Sequence, residues 1–181
     1  MKKYDVKLVA VDIDGTFVRS DYTYDVERFQ KIFHKMKQCG CHFVVASGNQ
    51  YYQLRDLFSG YYDELSFVAE NGAFVKDQRQ LVFTADIPRE TVDLVIDVCE
   101  YPEISNVVCG LNSAYCERGS VDQDFFDLTN IYYHRLQWVD DFKEIKDQIL
   151  KFAPTVPIEK TYDYYDIFRE RLAGKIDPTT S

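Results

Sequence analysis

The chain is 181 residues long, 46% hydrophobic and 15% aromatic, enough to pack one large core or two small ones. A formal net charge of -9 argues against nucleic acid and membrane as partners, because an acidic surface attracts neither, and an anionic substrate then needs local help. Five cysteines at no metal-ligand spacing fit reduced thiols in a cytoplasmic protein, no window reaches the length of a membrane span, and the basic start Met1-Lys2-Lys3 lacks the apolar stretch of a signal peptide.

Val6-Lys7-Leu8-Val9-Ala10-Val11 reads as a strand buried on both faces. It delivers Asp12-Ile13-Asp14-Gly15-Thr16 to its carboxyl end, where open α/β sheets bind ligands. Alternation along an extended chain puts Asp12 and Asp14 on one side and Ile13 in the core, and Gly15 permits a sharp turn. Phe17 to Thr23 is irregular and predicts a hairpin or flap over the acids. Val26, Phe29, Ile32, Phe33 and Met36 keep the spacing of a helix that Gly40 ends. Phe43-Val44-Val45-Ala46 is a second buried strand, reached by a parallel crossover, and it runs into Ser47-Gly48-Asn49 at the opening of a helix carrying Leu54, Leu57 and Phe58. Leu65 to Ala69 is a third strand, ending in Glu70-Asn71-Gly72. The Asn-Gly pair predicts a hairpin to Ala73-Phe74-Val75 and Leu81-Val82-Phe83.

Past Pro88, the spacing of Val92, Val95, Ile96 and Cys99 predicts a helix. A hairpin turned at Asn112-Ser113 joins Asn106 to Leu111 with Ala114 to Glu117. Phe142, Ile145, Ile149 and Phe152 predict a helix capped by Asp140 or Asp141, and Thr161 to Leu172 one more. Cys39 and Cys41 read as core packing, and Tyr162-Asp163-Tyr164-Tyr165-Asp166 as a solvated helix face. His34 reads as a solvated histidine on the polar side of its helix, and neither His42 nor His134 has a second metal ligand nearby in sequence.

The chemistry concentrates in the first third. Two carboxylates two residues apart repel unless a cation or proton offsets them, and Mg²⁺ is the hard cation that shares carboxylates with water and substrate phosphate. Asp12 can then attack phosphorus while Asp14 protonates the leaving oxygen and later activates water. Asp-x-Asp-Gly is also a common surface turn. A calcium loop fails on spacing, since Phe17 and Thr23 stand where it needs glycine and glutamate. Ser47 offers a hydroxyl to phosphate, Gly48 lets backbone N–H groups approach, and the following helix points its positive end at the anion. Asn71, at the carboxyl end of the third strand, is a further candidate contact.

In that order and spacing, Asp12-Ile13-Asp14-Gly15-Thr16, Ser47-Gly48-Asn49 and Glu70-Asn71-Gly72 resemble the haloacid dehalogenase superfamily. Within it the chain resembles the Cof-type phosphatases of sugar phosphates and other small phosphomonoesters. The resemblance implies an α/β fold, with a Rossmann-like parallel-sheet core over residues 1–85 and an α+β cap over residues 86–181. It implies Asp12 as the nucleophile that becomes a phosphoaspartate and Asp14 as the acid and base. Mg²⁺ would be held by the Asp12 side chain, the Asp14 carbonyl and a later acid. Gly15, Thr16, Ser47, Gly48, Asn49 and Asn71 are the implied phosphate or substrate contacts, with Asn49 standing where the motif commonly has arginine.

The resemblance also implies, after the cap, a lysine and a Gly-Asp-x-x-x-Asp-like strand end, for which Lys175 and Asp177 are the late candidates, in what reads as an unfinished cap strand. The expectation is thus a core lacking its carboxyl-terminal part, with Val9 and Val11 on an open sheet edge, association there as a homodimer, and poor turnover. Two rival readings stand beside the phosphatase: a receiver domain phosphorylated on Asp, whose acids would come from separate strands, and a non-catalytic phosphate-binding or interaction module.

Overall fold

A computed structural model of the protein describes residues 5–180, so the basic start at Lys2 and Lys3 lies outside the described residues, as does Ser181. Two units divide the chain, Met1–Thr84 and Ala85–Ser181.

In the first unit β1 (Leu8–Asp12), β2 (His42–Ala46), β3 (Ser66–Ala69), β4 (Phe74–Asp77) and β5 (Gln80–Thr84) lie side by side in chain order. β1, β2 and β3 are parallel, and β4 and β5 return antiparallel. The register Asp12↔Ala46 and Ala46↔Val68 brings the carboxyl ends of all three parallel strands level.

Helix α1 (Val26–Gln38) makes the first crossover. Asp25 accepts from the Arg28 N–H at its start. At its end Gly40, at φ +65°, donates to the Lys37 carbonyl and Cys41 to that of Met36, a Schellman cap that needs the left-handed residue. Phe29 of α1 is the hub of the core, with its ring 5.3–5.7 Å from those of Phe17, Tyr24, Phe33, Phe43, Phe58 and Tyr61. Helix α2 (Tyr51–Leu57) packs Tyr51 on Phe67 and Phe74, rings of the same sheet face.

Several expectations for this unit are corrected. β1 is not buried on both faces: Leu8 is 55% and Val9 37% exposed, because β1 is outermost and has only β2 beside it among the described residues. Val26 and Ile32 face solvent, since the sheet accepts only the Phe29 and Phe33 stripe of α1. Residues 17–23 form no strand hairpin over the acids. A turn closed between Arg19 and Thr23 sends Phe17 into the aromatic core. Cys39 is exposed and Cys41 half-buried, at the helix cap instead of inside the core.

The second unit is an α+β layer. β8 (Leu136–Val139), β7 (Ala114–Glu117), β6 (Ser105–Gly110) and β9 (Ile149–Thr155) form one sheet in that order, antiparallel except for β7 with β8. Helix α3 (Arg89–Val98) buries Val92, Val95 and Ile96, with Cys99 following, as its periodicity predicts. Helix α5 (Thr161–Arg171) packs Tyr164 and Phe168 against Val95, Val98 and Ile104. Helix α4 (Gln123–Asn130) and β8, unforeseen from sequence, are joined by Phe126 stacking on Trp138 at 4.3 Å.

The helix expected over Phe142 to Phe152 is absent. Phe142–Glu144 is a single 3₁₀ turn capped by Asp141, residues 145–148 are irregular, and strand β9 begins at Ile149. Phe142, Ile145 and Ile149 still share one cluster, so helical spacing reported burial correctly and conformation wrongly. The ladder of β6 decides the outcome, pairing with β9 from Ser105↔Thr155 to Gly110↔Ile149. Tyr164 is 5% exposed, not solvated. Lys175 lies in a turn and Asp177 in irregular chain, where a strand was expected, and Lys175 pairs with Glu90 of α3.

Candidate active site

Three loops at the carboxyl ends of β1, β2 and β3 build the candidate site. The first turns about one carbonyl: Ile13 O accepts from the N–H groups of Thr16 at 3.4 Å, Phe17 at 3.0 Å and Val18 at 3.1 Å. Gly15 closes that turn at φ +69°, a conformation costly to a side chain bearing Cβ. Ile13 is 1% exposed and anchors the loop below, which leaves Asp12 and Asp14 exposed on either side of it. Thr16 Oγ1 donates to Asp12 Oδ2 at 3.4 Å.

The second loop begins at Ser47, whose N–H continues the sheet by donating to the Val68 carbonyl at 2.9 Å. Ser47 Oγ accepts from the Asn49 N–H at 3.1 Å, and Asn49 Nδ2 donates to Asp14 Oδ2 at 2.9 Å, so the expected hydroxyl and the expected acid are joined through Asn49. The helix expected after this loop is α2, which begins at Tyr51, runs seven residues and has no side-chain cap.

The third loop is the unusual one. Glu70, Asn71 and Gly72 are all left-handed, at φ +52°, +56° and +90°. Each non-glycine residue held there costs about 1–3 kcal/mol, and such strain collects at functional sites. The Glu70 N–H donates to the Asn49 carbonyl at 3.1 Å, and the Asn71 side chain lies against Gly48 so closely that a Cβ there would meet Asn71 Cγ at 3.4 Å and Oδ1 much nearer. The expected Asn-Gly hairpin does join β3 to β4, but through a four-residue loop, since Ala69 pairs with Phe74. Glu70, 3% exposed, was missed from sequence: nothing marks a glutamate for a left-handed turn except the Asn-Gly that follows it.

All the predicted site residues, Asp12, Asp14, Gly15, Thr16, Ser47, Gly48, Asn49 and Asn71, therefore fall on these three adjoining loops. The donor set fits magnesium. Asp12 and Asp14 are exposed and offer only oxygen donors, and Mg²⁺ takes oxygen ligands and completes its shell with water and phosphate. No cluster of three or more His, Cys, Asp or Glu side chains able to hold a metal occurs among the described residues.

Comparison with known proteins identifies relatives of the chain and of its fold. The chain is 41% identical over 149 residues to the 5-amino-6-(5-phospho-D-ribitylamino)uracil phosphatase YbjI of Escherichia coli, covering 82% of this chain and 55% of that relative. The crystal structure of SMU.1108c from Streptococcus mutans matches with a TM-score of 0.84 at 29% identity, over 91% of this chain and 62% of that one. A haloacid dehalogenase-like hydrolase from Bacteroides thetaiotaomicron shares the fold, with a TM-score of 0.81 at 18% identity, over 97% of this chain and 68% of that one. This chain thus spans little more than half the length of its E. coli relative. The family of haloacid dehalogenase-like hydrolases matches residues 9–181, nearly the whole sequence, and the chain belongs to that family.

Proposed function

We propose that the protein is a phosphatase of small phosphomonoesters, sugar phosphates or similar metabolites, working through a phosphoaspartate on Asp12. The observation that carries this reading is the bond from Asn49 Nδ2 to Asp14 Oδ2, which ties the loop bearing both acids to the loop bearing Ser47. A substrate phosphoryl group received there meets a nucleophile, a proton donor and a hydroxyl from two neighbouring strand ends. The name of the E. coli relative, a phosphatase of a phosphorylated ribitylaminouracil, supports a small-molecule ester as substrate. The five thiols, all unbridged, support a cytoplasmic setting.

In the first step an Asp12 carboxylate oxygen attacks phosphorus. The phosphorus bond to the ester oxygen breaks, and that oxygen leaves with the Asp14 proton as an alcohol. In the second, Asp14, now a carboxylate, takes a proton from water as the water oxygen attacks the acyl phosphate. The bond to Asp12 breaks, releasing inorganic phosphate and restoring both side chains. Ser47, whose hydroxyl hydrogen can still be donated, orients the phosphoryl oxygens, because this chemistry asks chiefly for positioning and charge neutralisation. Magnesium, which Asp12 and Asp14 would hold, supplies that neutralisation when bound.

The test is hydrolysis of p-nitrophenyl phosphate with Mg²⁺ by the full chain and by Asp12→Asn. Turnover in the wild type that falls at least 100-fold in the variant is expected, in line with the ~10²–10⁴-fold scale of single catalytic groups. Equal turnover in the two would remove Asp12 as nucleophile, and no turnover in either would leave the non-catalytic phosphate-binding module.

A further inference from the structure

The place of Asn49 in the hydrogen-bond pattern differs from the phosphate contact expected of it. Its main chain is held on both sides, the N–H by Ser47 Oγ at 3.1 Å and the carbonyl by the Glu70 N–H at 3.1 Å. From that fixed backbone its Nδ2 is directed at Asp14 Oδ2, 2.9 Å away. A carboxylate accepts and cannot donate, so the amide must present its N–H₂ group there, and its orientation is settled by the partner.

We infer that Asn49 is a positioning residue for Asp14, locking the rotamer of the acid and base instead of serving primarily as a phosphate ligand. The inference rests on the phosphatase reading above. An exposed aspartate left to itself samples several rotamers, whereas catalysis requires one oxygen held within hydrogen-bond reach of the leaving group. With Oδ2 engaged by Asn49, Oδ1 is left to give and take the proton. An arginine at this position would bring a full positive charge and a longer reach. Asparagine is short and neutral, so it fixes the carboxylate without adding charge to the site.

Protonation of the leaving oxygen matters most when that oxygen is a poor leaving group, which gives a readout that a merely structural role would not move. The full chain and its Asn49→Ala variant are compared on phenyl phosphate, a poor leaving group, and on p-nitrophenyl phosphate, a good one, with Mg²⁺. The variant should lose on the order of 10- to 100-fold in kcat on phenyl phosphate, the scale of a small misplacement of a catalytic group, and several-fold less on p-nitrophenyl phosphate. KM and inhibition by inorganic phosphate should stay within about two-fold, as for an interaction absent from ground-state binding. Equal losses on the two esters, or weakened inhibition by phosphate, would overturn the assignment and make Asn49 a phosphate ligand.

A second measurement needs no turnover and separates failure of this inference from failure of the phosphatase reading. The ¹H–¹⁵N resonances of the Asn49 side-chain amide should move in Asp14→Ala and stay in place in Asp12→Ala. If Asp14→Ala leaves them unmoved, the positioning role is refuted even in an active phosphatase. If they move while Asp12→Asn hydrolyses as fast as wild type, the positioning stands and the proposed reaction falls.

Discussion

Gly48→Ala is the substitution whose effect depends most directly on the packing of the site. Gly48 has no left-handed φ, so alanine fits its backbone, and by itself the exchange should stabilise by about 0.4–1 kcal/mol through a less flexible unfolded chain. The new Cβ, however, would lie 3.4 Å from Asn71 Cγ and 3.9 Å from Nδ2, with Oδ1 inside any tolerable contact. All three atoms belong to one side chain. Overpacking of this kind costs about 1–3 kcal/mol, so Gly48→Ala should destabilise the first unit by up to about 2.6 kcal/mol net. In an Asn71→Ala background those atoms are gone and the same substitution should stabilise by about 0.4–1 kcal/mol, a change of sign and a coupling of about 1–3 kcal/mol. The assay is hydrogen exchange at the β2 amides of His42–Ala46 across a urea series, because the single tryptophan, Trp138, lies in the second unit and reports on that. Additivity of the two substitutions within about 0.5 kcal/mol would refute the contact.

The second unit offers a harsher counterpart in Gly110→Ala, where a Cβ would sit 2.8 Å from Asp147 Cγ and 3.1 Å from its Cβ, so no rotation of that short side chain escapes. Asp147 also accepts from Asn112 N and Nδ2, Ser113 N, Tyr115 Oη and Gln148 N. Overpacking and at least one lost charge-assisted bond should together remove about 3 kcal/mol or more, seen as a lower urea midpoint in Trp138 fluorescence; an unchanged midpoint would contradict it. A pH prediction concerns Tyr164 Oη, which donates to Glu103 Oε1 at 2.5 Å, a bond that together with one from Lys160 holds the Glu103 carboxyl down to about 2 and pushes the Tyr164 phenol up to about 12. The lowered carboxyl stabilises the fold above its ordinary value of 4.5 and loses that effect as pH falls toward 2. The raised phenol stabilises below its ordinary 10.0 and loses that effect as pH rises toward 12. Tyr164→Phe should flatten the pH dependence of unfolding of the second unit in both windows, and a profile parallel to wild type would exclude the bond as its source.

The sequence was readable wherever one signal had one structural meaning. Phe29, Phe33 and Gly40 mark an amphipathic helix ended by a left-handed residue, and α1 has these features. Burial was readable more widely than conformation. Phe142, Ile145 and Ile149 are buried as their spacing implies, yet the ladder of β6 draws the segment into a strand, and no local pattern carries a ladder supplied by residues forty positions earlier. β8 went unseen for the same reason, since Leu136 to Val139 is a strand only because β7 lies beside it.

For the site the position was legible and the connections were not. Asp12, Ser47 and Asn71 each follow a run of β-propensity, which places them at strand ends whatever else the chain does, and parallel register brings those ends level. What joins the loops is a set of bonds between residues 35 and about 20 positions apart: Asn49 to Asp14, Glu70 to Asn49, Asn71 against Gly48. The bond from Glu70 comes from a left-handed residue that propensity would not assign to a glutamate, whereas Asn71 before Gly72 is an ordinary left-handed asparagine. The strain is held in place because the strands on either side of that loop fix where its ends must go, β3 paired with β2 and β4 with β3. Residue types at strand ends therefore announce which chemistry is proposed for the site, while the strained third loop, through Asn49, bears on how the Asp14 carboxylate is held.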